Sequence, residues 1–317
     1  MITELLSEGG LSLDRLQNFC RVAEVGGVTR AAKGDVTKQS LYSRQIKELE
    51  EFFGAELMRR RGRGIALTGP GQRLHSIARE QFAALTDFKM ECRGQPLEVV
   101  LGAGDSLIQW VILPKLAAIE NRLPDARLKL LNLTNAEIIR RLSDGLIDFG
   151  IVRKGELGKS LGSSPLGRMG FSLFVPKNMQ PAVQAARPNG LLAAVPLAVL
   201  EGDGVFRREL AALANRNKLK LKIKIECSSF PLISRAIASG RVAGVLPRMA
   251  ADELQKLGVV EVPTKMLQGF EREVCLAWNP RQLQIRTMLD RARVIFAEAL
   301  KDMFVDRSPT WTARGHG

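Results

Sequence analysis

Lys38, Gln39, Ser40, Ser43, Arg44 and Lys47 gather hydrogen-bond donors and positive charge within ten residues, on one side of a helical repeat. Arg and Gln can pair bidentately with base edges of a duplex, while Ser and Lys reach phosphate oxygens. The group is therefore equipped both to read a nucleic acid and to hold it. The other side of the repeat is apolar, because Tyr42, Ile46, Leu49 and Phe53 recur at four, three and four residues. That is the stripe of a helix packed inward. A merely solvated polar face is the plain alternative. A second basic group, Arg59-Arg60-Arg61-Gly62-Arg63-Gly64, lies between the apolar runs Leu57-Met58 and Ile65-Ala66-Leu67. A β-hairpin carrying Arg60, Arg61 and Arg63 beside phosphates or in a minor groove fits it, with an ordinary basic surface loop as the other reading.

Other elements must hold these residues in place. Leu16, Phe19, Val22 and Ala23 form a first apolar stripe, and Thr29-Arg30-Ala31-Ala32 opens a short second helix whose alanines allow close packing. Arg30 thereby joins the basic set. Gly34 suits a left-handed helix end, and Asp35 or Thr37 suits the cap of the next helix. Helix, turn, helix and basic hairpin together describe a winged helix-turn-helix over residues 11–68.

This segment resembles the N-terminal domain of the LysR-type transcriptional regulators. The likeness rests on Leu16-Gln17-Asn18-Phe19 with Val22-Ala23-Glu24, Thr29-Arg30-Ala31-Ala32, Ser43-Arg44-Gln45-Ile46-Lys47-Glu48-Leu49-Glu50, Gly54-Ala55-Glu56-Leu57, and Arg60 to Thr68. The chain departs from the family's pattern at Asp35, usually a buried leucine, at Thr37, usually an apolar turn residue, and at Ser40, often proline. The resemblance implies a sequence-specific, effector-controlled DNA-binding regulator that acts as a homodimer or homotetramer on double-stranded DNA, with RNA polymerase as a possible further contact.

A dimer seam is also expected from the residues themselves. Leu74, Ala78, Gln81, Leu85, Phe88 and Cys92 alternate at four and three, an a/d heptad on a linker helix over 69–93 that Thr68 caps and Pro70 begins. A helix packed on its own domain is the alternative. Beyond Pro96, strand-like runs at 97–101, 127–133, 149–152, 171–175, 197–200, 220–226, 244–247 and 273–277 are interleaved with helical stretches at 108–121, 135–144, 232–239 and 282–303. Such alternation predicts a parallel α/β sheet. Two α/β lobes are expected over 96–305: lobe I at 96–170 and 273–305, lobe II at 171–272. The resemblance makes them similar to periplasmic solute-binding proteins, with a small effector in the cleft. The segment from Leu142 to Val152 carries that likeness.

In open α/β sheets ligands lie beyond the carboxyl ends of the strands. That rule selects Asp105, Ser106, Thr134, Asn135, Arg153, Glu201, Asp203, Ser228, Ser229 and Phe230 as effector contacts. Ser106, Thr134 and Ser228 could instead be helix caps.

Composition narrows the classes. Lys+Arg 47 against Asp+Glu 33 suits a nucleic-acid partner. Yet residues 1–95 hold 15 basic and 12 acidic side chains, a net of +3, which leaves +11 of the chain's +14 for the remainder. Much of that excess surrounds Arg207-Arg208 and the run from Arg216 to Lys224. Cys20, Cys92, Cys227 and Cys275, with His75 and His316, show no metal-ligand spacing, so neither metal nor cofactor is expected. Cys227 is the one thiol near the expected cleft. No enzyme is expected, since Gly102-Ala103-Gly104 lacks the third glycine of a nucleotide loop. A nonspecific architectural DNA binder is the alternative function. No run of apolar residues is long enough to span a membrane, and the N-terminus lacks a basic-then-apolar signal, so a cytoplasmic protein is expected. Asp306 to Gly317 reads as a disordered tail.

Overall fold

The computed structural model describes residues 9–62, 64–187 and 190–304. Arg63, His316 and the 306–317 tail lie outside the described residues.

The chain begins with three helices. Helix α1 (Leu13–Val25) starts where the Ser12 hydroxyl accepts from the Arg15 amide at 3.2 Å, and ends at Gly26 in the left-handed conformation. After α2 (Val28–Ala31), Gly34 turns the chain at φ +86° and Asp35 caps α3 (Val36–Phe53), its carboxylate accepting from the Lys38 amide at 3.1 Å. The aspartate that departs from the family pattern is thus the N-cap of α3, which needs a side-chain oxygen rather than an apolar group. Phe19, Val22, Ala31, Ala32, Tyr42, Ile46, Leu49 and Leu57 close one core. The expected stripe stops at Leu49: Phe53 is exposed and rests edge-on against Phe52. Strands β1 (Met58–Arg61) and β2 (Gly64–Leu67) then pair antiparallel, Met58 opposite Leu67.

Helix α4 (Gly69–Cys92) is capped by the Thr68 hydroxyl, which accepts from Gly71 at 3.1 Å. A Cβ on Gly71 would lie 1.9 Å from the Leu57 carbonyl oxygen, so only glycine lets the helix approach the hairpin this closely. The expected heptad is divided by this packing. Leu74 and Ala78 join the three-helix core, whereas Gln81, Leu85 and Phe88 face outward with Ile77, which the heptad did not include.

His75 sits on the buried side of α4, edge-on to Phe19, and its Nε2 has no hydrogen-bond partner. Burial lowers its pKa below the ordinary 6.5; Arg79 acts the same way, and Glu24 and Asp144 oppose it. The unfolded chain therefore takes up a proton near pH 6.5 that the folded chain refuses, so stability present above that pH is lost as pH falls through it. Urea melts at about pH 7.5 and about pH 5.5 should show the loss, and a His75→Leu variant should flatten it; an unchanged difference in the variant would assign the effect to other groups.

The remainder forms a sheet whose strand order is β4-β3-β5-β11-β6-β9-β7-β8, with β10 beside β6. The strands are β3 (Leu97–Ala103), β4 (Ala126–Asn132), β5 (Phe149–Arg153), β6 (Gly162–Pro176), β7 (Pro196–Leu200), β8 (Lys222–Cys227), β9 (Ala243–Pro247), β10 (Val259–Val262) and β11 (Glu271–Trp278). The helices used below are α5 (Leu116–Arg122), α6 (Asn135–Ser143), α7 (Val205–Arg216), α8 (Phe230–Ala238), α9 (Pro280–Ile285) and α10 (Thr287–Lys301). The sheet is mixed rather than parallel as expected. β3, β4 and β5 run parallel in one lobe and β7, β8 and β9 in the other, but β6 and β11 are antiparallel to each other and to their neighbours. These two strands join the lobes. β6 pairs with β11 from Gly162 to Gly170 and with β9 and β10 from Phe171 to Pro176.

Two expected helices are interrupted. The 108–121 stretch begins as a π-helical turn at Ile108–Ile112, passes through a 3-10 turn at Leu113–Lys115 and becomes α-helical only at Leu116. The π-turn sends Trp110 into the apolar core of lobe II, where its indole donates to Glu253 at 3.0 Å. The 282–303 stretch breaks at Arg286, whose backbone leaves the helical region (φ −112°, ψ 86°).

Candidate nucleic-acid interface and ligand cleft

On α3 the apolar face is fastened down and the polar face is free. Gln45 accepts from the Asn18 amide at 2.8 Å, and Arg21 donates to the Tyr42 hydroxyl at 3.0 Å, so both belong to the packing against α1. Lys38, Ser40, Ser43, Arg44 and Lys47 are exposed and Gln39 is half-buried. Their present partners are weak. Arg44 lies 3.5 Å from Glu48, Lys47 3.6 Å from Glu51 and Lys38 3.4 Å from Asp35, all solvent-exposed pairs that cost little to exchange for phosphate or base contacts. Gln39 accepts from the Thr29 hydroxyl at 3.2 Å, and Ser40 donates back to the Val36 carbonyl at 3.2 Å.

Arg30 lies at the root of the hairpin, sharing with it the Gly26 carbonyl at the end of α1. Its guanidinium donates to the Gly26 carbonyl at 2.8 Å and lies 3.4 Å from where a Cβ on Gly64 would be, while the Ile65 amide donates to Gly26 at 3.1 Å. Arg30 is thus exposed but committed to the root of the wing. Arg60 and Arg61 are exposed on β1, and so is Arg59.

Between the lobes lies a cleft of about 350 Å³. Of the residues selected from sequence, Asp105, Ser106, Thr134, Asn135, Arg153, Ser228, Ser229 and Phe230 line it; Glu201 and Asp203 do not, being exposed at the start of the following loop. Thr134 and Ser229 are also helix caps: Thr134 forms a capping box with Glu137 on α6, and Ser229 accepts from Leu232 on α8. Asn135 holds the Arg153 loop, accepting from the Arg153 amide at 2.9 Å and donating to Glu156 at 2.5 Å, while Arg153 pairs with Glu156 at 2.8 Å.

The structure adds residues that the strand-end rule overlooked. Phe171 and Phe206 line the cleft with Phe230; ring centroids lie 4.9 Å apart for Phe171–Phe206 and for Phe206–Phe230, and Phe270 backs them. Arg272, from the antiparallel strand β11, pairs with Glu209 and sits 5.3 Å over the Phe270 ring. Burial lowers its pKa, and the Arg153 guanidinium nearby acts in the same direction. The cleft therefore has an aromatic wall and the hydroxyls of Ser228 and Ser229 on lobe II, hydroxyl and amide groups on lobe I, and two guanidinium groups with one carboxylate, Asp105.

A larger hollow of about 850 Å³ runs between α4 and lobe I, lined by Ala84, Phe88, Pro96, Ile285 and Met288 among others. It lies at the opposite, amino-terminal ends of β3 and β4 and continues the outward face of α4. Among the described residues no group of His, Cys, Asp and Glu could hold a metal ion, and no helix is long and apolar enough to cross a membrane. Burial and Glu201 raise the pKa of the Cys227 thiol, which is the opposite of what activates a reactive cysteine.

Comparison with known proteins gives matches over both parts of the chain. Residues 13–72 match the family described as "Bacterial regulatory helix-turn-helix protein, lysR family", and residues 93–296 match "LysR substrate binding domain". A "Probable nitrogen assimilation transcriptional activator" of Synechococcus elongatus is 34% identical over 146 residues, which is 45% of this chain and 47% of that protein, so the match spans about half its length. Among solved structures, ArgP from Mycobacterium tuberculosis superposes with a TM-score of 0.65 at 19% identity, covering 90% of this chain and 96% of that one. Full-length CbnR complexed with its target DNA superposes with a TM-score of 0.55 at 20% identity, covering 92% and 100%. At these identities the superpositions speak for the fold alone.

Proposed function

The chain belongs to the lysR family of bacterial regulatory helix-turn-helix proteins, and on that premise we propose that it is a sequence-specific transcriptional regulator switched by a small effector. The observation that carries this reading is the free polar face of α3, with Ser43 and Arg44 open to solvent and Arg60 and Arg61 exposed on the adjoining hairpin. A recognition helix in the major groove needs such a face, and phosphate contacts beside it fix the register. Residues 11–68 read DNA and residues 69–93 pair two copies through the outward Ile77, Gln81, Leu85 and Phe88. Residues 96–305 take the effector in the cleft. An effector with an apolar, planar body and a polar head matches that lining. A cytoplasmic location and contact with RNA polymerase accord with this role, and no chemistry is assigned to the α/β half.

Two copies with paired linker helices bind two half-sites, so a site with twofold symmetry is expected. Footprinting of the region upstream of its own gene should give such a protected site, with a pattern that changes when the right metabolite is added. Equal affinity for that region and for random DNA at matched salt would overturn the proposal in favour of an architectural DNA binder.

A further inference from the structure

Three charged side chains, Asp105, Arg153 and Arg272, line the cleft between the lobes, and they are not equally committed. Arg153 is held by Glu156 at 2.8 Å, and Arg272 by Glu209 and by the Glu271 carbonyl, which accepts at 3.1 Å. Each guanidinium thus brings its own counter-charge. Asp105 does not: its Oδ1 accepts from the Ser106 amide at 2.6 Å, and its Oδ2 has no partner among the described residues. With these pairs counted, the lining carries one uncompensated charge, and it is negative.

The uncharged polar groups are committed in the same uneven way. Asn135 donates to Glu156 and accepts from the Arg153 amide, so both ends of its side chain are occupied. The Thr134 hydroxyl and amide donate to the Glu137 carboxylate at 2.8 and 3.0 Å, so the start of α6, a place where an anion would lodge, already holds one. What remains beside Asp105 are the hydroxyls of Ser106 and Ser228, which line the cleft without a side-chain partner among the described residues. A hydroxyl accepts or donates as a ligand requires.

A carboxylate entering here would meet the Asp105 charge with no uncommitted cation among the lining residues to offset it, and like charges in a partly desolvated site disfavour one another. A cation suits on both counts. An ammonium group donates to the free carboxylate oxygen and to hydroxyl oxygens, in bonds strengthened by its charge. The rings of Phe171, Phe206 and Phe230 cover an apolar body, and aromatic faces attract positive charge.

We propose that the effector held in this cleft is a positively charged amine, its ammonium bound by Asp105 and its aromatic or apolar body laid on Phe171, Phe206 and Phe230. This deepens the regulator reading and rests on it for the cleft's role as the effector site. A zwitterion fits less well, since its carboxylate finds both guanidinium groups already paired.

Isothermal titration calorimetry on the full chain, with phenethylamine, phenethyl alcohol, phenylacetate and phenylalanine as probes of similar shape, reads the charge preference. Phenethylamine should bind most tightly. Asp105→Asn should weaken it by about 10- to 100-fold, the range for a charge-assisted hydrogen bond, and leave the neutral alcohol unchanged. Asp105→Glu, which keeps the charge, should keep the order of the probes. The asparagine oxygen still accepts from the Ser106 amide, and an unaltered Tm of the free variant would show that the fold is kept. Tighter binding of phenylacetate or phenylalanine than of the amine would overturn the proposal, as would unchanged amine affinity in Asp105→Asn or the absence of binding by all four probes. The regulator reading is reported separately by footprinting of the unaltered chain without any probe, where a protected upstream site leaves that reading standing whatever the calorimetry gives.

Discussion

Arg286→Ala should lower the free energy of unfolding by about 3 to 5 kcal/mol, the range found when one member of a buried ion pair is removed and the other is left uncompensated. Arg286 lies at the break between α9 and α10 and is nearly inaccessible. Its guanidinium reaches three elements at once: Asp87 on α4, through Nε and Nη2; Asp148 at the start of β5, through Nη1; and the Glu98 carbonyl, at 3.4 Å. Asp148 also accepts from the Val100 amide at 2.7 Å, and burial raises its pKa even with Arg286 beside it. Without the guanidinium, Asp148 is left in the core with a single amide. Equilibrium urea denaturation would measure the loss. Asp87→Asn, on the half-exposed side of the cluster, should cost less, and a double-mutant cycle between the two positions should give a coupling of about 0.5 to 3 kcal/mol. A loss below about 1 kcal/mol for Arg286→Ala, ordinary for a surface change, would show that the cluster contributes little. Together with Glu80, which accepts from Asn279 at 3.3 Å, this cluster ties the linker helix to lobe I.

Arg44→Ala should weaken binding to the operator by about 1 to 3 kcal/mol, roughly 5- to 150-fold, and loosen sequence preference at the base it reads. The side chain is 71% exposed, and its one partner among the described residues is Glu48 at 3.5 Å, itself shared with Arg15 at 2.6 Å. Truncation therefore removes little from the folded protein, and the deficit should appear in DNA binding and not in the denaturation curve. Arg60→Ala offers the contrast. On the wing it should weaken all sequences alike and reduce the salt slope by about 0.9. Competition binding with the footprinted site and single-base variants would separate the two. Unchanged operator affinity for Arg44→Ala would mean that another face of α3 meets the bases.

Much of the DNA-reading half was legible because its determinants are local. The spacing of Tyr42, Ile46 and Leu49 decides which side of α3 packs, and Asp35 and Gly34 mark the turn, since a cap and a left-handed residue act on their own backbone. Phe53 was misplaced because the core ends a turn earlier, which periodicity alone does not register. The heptad of α4 had the right period, but the close approach permitted by Gly71 draws Leu74 and Ala78 into the chain's own core and leaves only the later positions outward.

By itself, then, the sequence determined the helical face with its donors, the basic hairpin, the capped linker helix and the alternation of strands and helices. Each follows from side chains a few residues apart on one backbone segment. Only the tertiary structure decided that β6 and β11 run against the other strands, that Phe171, Phe206 and Arg272 enter the cleft, and that Arg286 joins Asp87 to Asp148 across 199 and 138 residues of separation. Strand direction and long-range pairing depend on the sum of packing and desolvation over the whole domain, and that sum leaves no periodic trace in the residues that meet.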